Sequence, residues 1–412
     1  MPKRHTIAAG ESLPKLAELY YGDARRWPAI ERASTFKSGR GQLVYPGETA
    51  IIPDLGTEPP TDFDLSKDVS EDEISVIVAG RVFSGWQGLN LQENEDTFAD
   101  GFSITAPFNP DDSDMREAFR PFSYRLCQVY IGKDRVLKGT IEQISPSGSA
   151  SDRTITIGGR SVSGAMVDSS IEGQGQEFKG QSLRTICQWI AGLFGVEVVD
   201  DTEDTGPIPE TRPEPTQTAF EFLNDLAKSK GRLLTTDSRG ILRITKPSSA
   251  GNPVAAIVEG EGLFVEASAN YDGAKRHSRY IVYLDSDGTP GIRGAAEDEG
   301  IPIYRPHQEE PNAAATDANT AAAWARTIAL SEATAVNVTV SRWRRENGEI
   351  WRKGDFVTLR SPSAMVYQES LFRVAGRSFE IDDTQGKQTV LRLVLPQAFT
   401  TQMPERHPWD EA

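Results

Sequence analysis

One break in texture limits what this chain can become. From Asp54 to Glu73 it reads DLGTEPPTDFDLSKDVSEDE, with eight acidic residues, few large apolar ones, and Pro59 and Pro60 close behind Pro53. Such a run repels itself and buries too little apolar surface to offset chain entropy, so it reads as an extended linker over residues 55–73. Whatever precedes it, residues 1–54, must close a core of its own. Residues 74–412 are long enough for several further domains.

The front unit has the punctuation of a small fold. Thr6–Ala8 reads as a strand, and Ser12 stands where a helix cap belongs. Leu13, Leu16, Ala17 and Tyr20 then recur at helical spacing. Pro14 falls in the first turn, where no intrahelical N–H bond is lost, and Gly22 can stop the helix in the left-handed conformation. Pro28 opens a second helix through Ala33, Pro46-Gly47 marks a turn, and Thr49–Pro53 closes the unit as a strand.

The stretch HTIAAGESLPKLAELYYGDARRWPAIERA…LVYPGETAIIP resembles a LysM module, a small βααβ fold that in many proteins binds N-acetylglucosamine polymers. The matching positions are Gly10, Leu13, Tyr20 to Asp23, Trp27, Ile30, Pro46, Gly47 and Pro53. One position departs: Ser34 stands where such modules often carry Asn. The resemblance implies that glycan, or a docking partner, sits between a first loop, Gly10, Glu11, Ser12 and Leu13, and a second, Val44, Tyr45, Pro46 and Gly47. Trp27 and the Tyr20-Tyr21 pair are expected mostly in its core.

Beyond the linker the texture turns to β. ISVIVAGRVF from Ile74 alternates around a buried face, YRLCQVYIGKDRVLKGTIEQI reads as two strands joined at Gly132–Asp134, and RTITIGGRS adds another. Leu183, Ile186, Cys187, Ile190 and Phe194 make one helical face, with Trp189 at its rim. Thr218 and Glu221 have capping-box spacing ahead of Phe222, Leu223 and Leu226. A hairpin turning at Asp237–Gly240 follows. Residues 285–317, polar and rich in Gly and Pro, read as a long loop, and the Ala-rich run after them as a helix. From Val336 the pattern is again β, with Asn347-Gly348 as a hairpin turn.

This body resembles the baseplate hub of contractile-tailed phages of the Mu type, relatives of the T4-type hub and of the first part of the type VI secretion spike. The segments that carry the likeness are Gly85-Trp86, Thr97–Phe108, Gly159–Ser170, Ser278–Tyr283, Arg342–Leu359 and Leu391–Phe399. The fold expected is α+β, mainly β. A first β-barrel-like domain at 74–165 and α+β domains at 166–250 and 251–334 precede a second barrel-like domain at 335–412. The resemblance implies a homotrimeric ring that joins a hexameric tail tube protein to a trimeric central spike protein. Adjacent baseplate (wedge) proteins, and alternatively peptidoglycan, are further partners for the front module. VAGRVF (Val78–Phe83) and VAGRSF (Val374–Phe379) differ at one position and lend slight independent support to two similar barrels.

Chemistry is sparse. His5, His277, His307 and His407 have no zinc-peptidase spacing, and Cys127 and Cys187 have neither a CxxC partner nor a nearby candidate base. GQGQ (Gly173–Gln176) lacks the spacing and the Lys of a phosphate loop. Glu-Ser pairs at Glu11 and Glu369 echo lytic transglycosylases but have no helical bundle around them. No catalytic residue, metal or cofactor is expected, and a wall hydrolase is the weakest reading. The first 55 residues hold eight Lys/Arg against six Asp/Glu, which leaves 36 against 54, or −18, for the remainder. That balance disfavours phosphate-backbone binding, and acids lining a ring channel would repel passing DNA. No apolar run approaches the roughly 20 residues of a membrane span. The basic start MPKRHTIAAGES breaks at Gly10-Glu11, so no signal peptide is expected. The expected location is the virion tail baseplate, after assembly in the host cytoplasm.

Overall fold

The computed structural model describes residues 3–36, 44–53, 69–95, 97–149, 152–171, 177–203, 206–246, 248–283, 293–309, 318–382, 386–398, 400–404 and 406–410. Most of the acidic linker and the GQGQ segment lie outside these residues. The front unit has the expected order strand–helix–helix–strand, with its first strand earlier than the expected Thr6–Ala8: β1 (Lys3–Thr6), α1 (Leu13–Tyr21), α2 (Trp27–Ala33) and β2 (Thr49–Ile52). β1 and β2 pair antiparallel, Lys3 opposite Ile52. Gly22, at φ 69°, ends α1 as its N–H reaches back to the Glu18 carbonyl at 2.9 Å. Ile7, Leu13, Leu16, Ala17, Tyr21, Ile30, Ala50 and Ile52 form a closed core. Ser34, the departing position, bridges two elements. Its hydroxyl donates to the Ile30 carbonyl at 2.6 Å and accepts from Ile51 N at 2.8 Å, tying α2 to β2.

The body begins with β3 (Ile74–Val78), β4 (Arg81–Phe83), β5 (Gly88–Asn94), β6 (Gly101–Pro107), α3 (Ser113–Ala118), β7 (Leu126–Ile131), β8 (Asp134–Gly148) and β9 (Arg153–Ser161). A layered α/β unit follows: α4 (Ala165–Asp168), β10 (Phe178–Ser182), α5 (Leu183–Leu193), β11 (Val198–Asp200), β12 (Pro207–Thr211), α6 (Ala219–Ser229), β13 (Leu233–Thr236) and β14 (Leu242–Thr245). The capping box forms as its spacing predicts. Glu221 N donates to Thr218 Oγ1 at 3.2 Å and Thr218 N to Glu221 Oε2 at 2.9 Å, a device worth about 1 kcal/mol. β15 (Pro253–Val258), β16 (Phe264–Tyr271), β17 (Arg279–Tyr283), β18 (Arg293–Glu297), β19 (Pro306–Glu309), α7 (Ala318–Ala333), β20 (Thr334–Val340), β21 (Phe356–Ser361), β22 (Val366–Asp382) and β23 (Gly386–Val394) complete the chain.

Strand outweighs helix, and thirteen strands form one hydrogen-bonded sheet. Its main path runs β16-β20-β23-β22-β5-β6-β9-β8-β7-β3-β4, with β21 and β15 branching from β22. β5 against β22 is the seam where the early strands meet the late ones, Leu89 opposite Ile381 through Asn94 opposite Gly376. One contiguous apolar core spans both sides, from Ile74 to Leu395. Charge is sorted across the seam. Glu93, Glu95 and Asp100 come from the early side; Lys353, Arg373 and Arg377 from the late side. Arg377 grips Glu93 through two bonds of 2.7 and 3.1 Å, Arg373 pairs with Glu95, and Lys353 Nζ lies 3.0 Å from Asp100. All six side chains are largely withdrawn from water. Burial pushes the Asp100 carboxyl up to about 6 against the pull of Lys353.

Three expectations need correction. Residues 285–317 are not one loop: β18 and β19 flank β17 in a separate three-stranded sheet, and α7 packs on it through Val282, Ala296 and Ala322. Their short, polar sequences hide the strands, because partnership with β17 and cover by α7 decide their conformation. ISVIVAGRVF is not one strand but a hairpin that turns at Ala79 (φ 50°) and Gly80 (φ 73°). VAGRSF, by contrast, runs inside β22, with a register shift between Val374 and Gly376. The two hexapeptides therefore use their glycines differently. Gly80 supplies a left-handed turn, whereas a Cβ on Gly376 would meet Asn94 Oδ1 at 2.4 Å across the seam. Their likeness gives no structural sign of duplication. β15 and β16, within the stretch expected as a separate domain, pair with β21 and β20 of the large sheet.

Candidate functional site

The two loops singled out in the front module lie side by side because Ile7, just ahead of the first loop, holds the second by two backbone bonds. Ile7 N donates to the Glu48 carbonyl at 2.9 Å, and Gly47 N donates to the Ile7 carbonyl at 2.8 Å. Gly10 (φ 84°) and Gly47 (φ 90°) make the left-handed turns, with open space where a Cβ would stand. Glu11 Oε2 accepts from Ala8 N at 2.8 Å and from His5 Nε2 at 2.8 Å, and Tyr20 Oη lies 3.0 Å from His5 Nδ1. The Ala8 amide, with His5 second, holds the Glu11 carboxyl below the usual carboxylate range. Ser12 occupies the cap position of α1 without a side-chain capping bond. Tyr45 is 55% exposed, beside exposed Pro46, while Val44 packs partly on the module core.

Leu13 departs from the expected set. It is fully buried in the module core and presents no side chain to the loops. His5 and Tyr20 join the loop cluster instead. Their signal was faint, since a lone His on an edge strand and a Tyr at helical spacing both read as ordinary packing. Glu11, read beside Ser12 as a dipeptide, is tied to backbone and His5.

The opposite face of the module sits on the body. Asp23, 6% exposed, caps the turn at Ala24–Arg26 and accepts two bonds from the Arg25 guanidinium at 2.9 and 3.0 Å. So aimed, Arg25 Nη1 reaches Thr140 Oγ1 on β8. Trp27 packs half-buried on the module core, and its Nε1 donates at 2.8 Å to the carbonyl of Leu193. Leu193 is the last residue of α5, whose terminal carbonyls lack intrahelical partners. Gly195, at φ 68°, lies beneath: a Cβ there would stand 2.9 Å from Ala24 Cβ and 3.0 Å from Arg25 N. Trp27 thus serves two surfaces. The loops around Gly10 and Tyr45 are left open while the turn at residues 23–27 is occupied.

Both cysteines are buried, with burial raising each thiol, Cys127 to about 12. Among the described residues, no cluster of three or more His, Cys, Asp or Glu could hold a metal ion, and no helix is long and apolar enough to cross a membrane.

Comparison with known proteins places the body. Three family models match consecutive stretches: Mu phage baseplate assembly protein GpP-like, N-terminal, over 73–161; baseplate hub protein gp44-like, second domain, over 163–246; and Mu phage baseplate assembly protein GpP, fourth domain, over 314–402. The body is therefore similar, stretch by stretch, to baseplate components of phage tails. The baseplate hub protein gp44 of Escherichia phage Mu is 23% identical over 339 residues, 78% of this chain and 87% of its own. The 43 kDa tail protein of prophage MuSo2 from Shewanella oneidensis is 26% identical, with a TM-score of 0.67 over 79% of this chain and 99% of its own. Residues 73–402 are thus similar to gp44-like baseplate hub and GpP-like baseplate assembly proteins of Mu-like phage tails. The fold alone is shared with the E. coli c3393 protein, a type VI secretion component (9% identity, TM-score 0.50, 80% of this chain and 79% of its own). These relatives are named as tail, baseplate or secretion components and not as enzymes.

Proposed function

We propose that the chain is the hub of a contractile-tail baseplate, three copies closing into a ring that joins a hexameric tail tube to a trimeric central spike. The observation that carries this reading is the single sheet spanning residues 74–394, in a body matched almost end to end by the MuSo2 tail protein. A ring of such sheets leaves strand edges only at its rims, where tube subunits can pair. The mechanism is geometric: three-fold symmetry on the spike side is adapted to six-fold symmetry on the tube side, without chemistry. Mass photometry of the purified chain, alone and with spike protein, tests it. Trimers are expected, and a monomer under every condition refutes the ring.

The front unit is proposed to be a LysM-type module that docks on neighbouring baseplate proteins through the loops around Glu11 and Tyr45. Its latch to the body supports this, because Trp27 and Arg25 hold the module in one orientation with those loops outward. The exposed Tyr45 also favours a second reading, peptidoglycan capture at the loops. Titration of the full chain with chitin oligomers separates the two. Binding abolished by Tyr45→Ala supports glycan, and no binding at millimolar ligand leaves protein docking.

A further inference from the structure

The loop between α3 and β7 carries two aromatic residues that no core absorbs. Phe122 is 87% exposed and Tyr124 58%, and both have left-handed backbones, at φ 58° and 48°. That conformation costs bulky residues of order 1–3 kcal/mol each and persists only where the surroundings impose it. The root of the loop is firm. Phe119 is buried against Phe83 and Trp86, and Ser123 Oγ donates to the Arg120 carbonyl at 2.7 Å. Arg120 beside them is exposed. This finger stands at the β4 end of the sheet.

A second surface holds a socket. A cavity of about 460 Å³ lies between β15 and β16, lined by Ile257, Leu263, Phe264, Trp351 and Arg345, the last already paired with Glu349 and Asp355, with exposed Glu261 and Glu346 at its rim. Both strands are terminal in their paths, so each keeps an edge without a strand partner among the described residues. A recess walled on one side by these apolar side chains, with carboxylates at its rim, suits an aromatic insert with a cation beside it. Arg120, Phe122 and Tyr124 supply those groups.

We propose that the finger at residues 119–125 of one copy enters the β15–β16 socket of the next. The inference rests on the ring reading above and names the contact that closes it. Finger and socket are two different surfaces of one chain, which makes the contact head-to-tail, the type that generates a closed ring when its rotation divides a full turn. Two buried aromatics at the centre and opposite charges at the rim have the anatomy of an interface hot spot. The rest of the interface comes from the flanking strand edges.

Two full-length variants test this. Phe122→Gly with Tyr124→Gly relieves the left-handed strain, so the fold keeps or raises its melting temperature. Loss of the aromatics should raise the concentration for half-assembly at least about tenfold. Second, Phe122→Cys with Val254→Cys, treated with a short bismaleimide, should give a covalent ladder ending at the trimer, while each single variant gives none. The native thiols are buried and do not interfere. Assembly of the double-glycine variant at the wild-type concentration, or intact trimers without a ladder, overturns the contact and leaves the ring standing. A wild-type chain that never assembles overturns both.

Discussion

The sharpest prediction concerns Arg377. Replacing it with Met keeps much of its volume and apolar stem beside Phe379, whose ring centre lies 4.6 Å from the guanidinium. It also strips Glu93 of a two-bond partner inside a seam where both side chains are at most 6% exposed. A buried carboxylate left without its cation costs about 3–5 kcal/mol. Unfolding entropy of about 2.1 cal/mol/K per residue, over roughly 330 residues of body, gives about 0.7 kcal/mol/K, so 4 kcal/mol lowers the melting temperature by about 6 °C. Replacing both partners, Glu93→Leu with Arg377→Met, removes the stranded charge and should recover most of that loss, since apolar replacement of a buried pair is often neutral or better. Calorimetry on wild type, both single variants and the double completes a thermodynamic cycle. A shift below about 2 °C for Arg377→Met would refute the reasoning. So would a double variant as damaged as the two singles summed.

Three other outcomes follow from the same geometry. Gly376→Ala would push a methyl against Asn94 Oδ1 at the seam and should lower the melting temperature by several degrees, read by the same calorimetry. Gly195→Val crowds Ala24 and Arg25 and also strains a left-handed backbone, so it should lift the front module from its seat and lower the melting temperature of the body. Proteolysis within residues 54–68 should then quicken while the circular dichroism stays unchanged. Asp100 gives a pH signature. Its folded pKa of about 6 lies above the unfolded value near 3.8, so the folded state binds more protons between those limits and this residue's contribution to stability rises as pH falls from 7 toward 4. Wild type should gain on Asp100→Asn by up to about 3 kcal/mol over that range in urea titrations, and a gap that widens the other way contradicts the assignment.

Local rules carried far in this sequence, and they stopped where partners are distant. The caps at Thr218 and Gly22, the turns at Gly132 and Gly348, and the apolar face from Leu183 to Ile190 were legible because each depends on residues a few positions apart. β18 and β19 were not, because their strand character comes from β17 and α7. The pairing of Glu93 with Arg377 was equally hidden, since charges 284 positions apart carry no local signature. In the candidate site, the glycines and loop residues were pointed to by the resemblance to a LysM module. The His5–Glu11 link needed a fold to bring it together, and Leu13 was absorbed by the core because its helical register points it inward.

The latch changes what the acidic linker means. By composition it is a tether, and a tether of about 20 residues gives its ends an effective concentration near millimolar. At that concentration a contact closes once its intrinsic free energy passes about 4 kcal/mol, a low threshold. Two side-chain hydrogen bonds supply about 2 kcal/mol, and whatever apolar surface of the Trp27 indole is buried on the body adds about 25 cal/mol per Å². The linker and the latch therefore cooperate. A contact too weak to hold two separate proteins is sufficient here, and it remains weak enough for a baseplate neighbour that binds the same turn at residues 23–27 to displace it. Such a neighbour would compete at Trp27 and Arg25, whereas one that binds the open loops would leave the indole bond to Leu193 intact. Indole N–H chemical shifts in the assembled and free hub tell these two modes of docking apart.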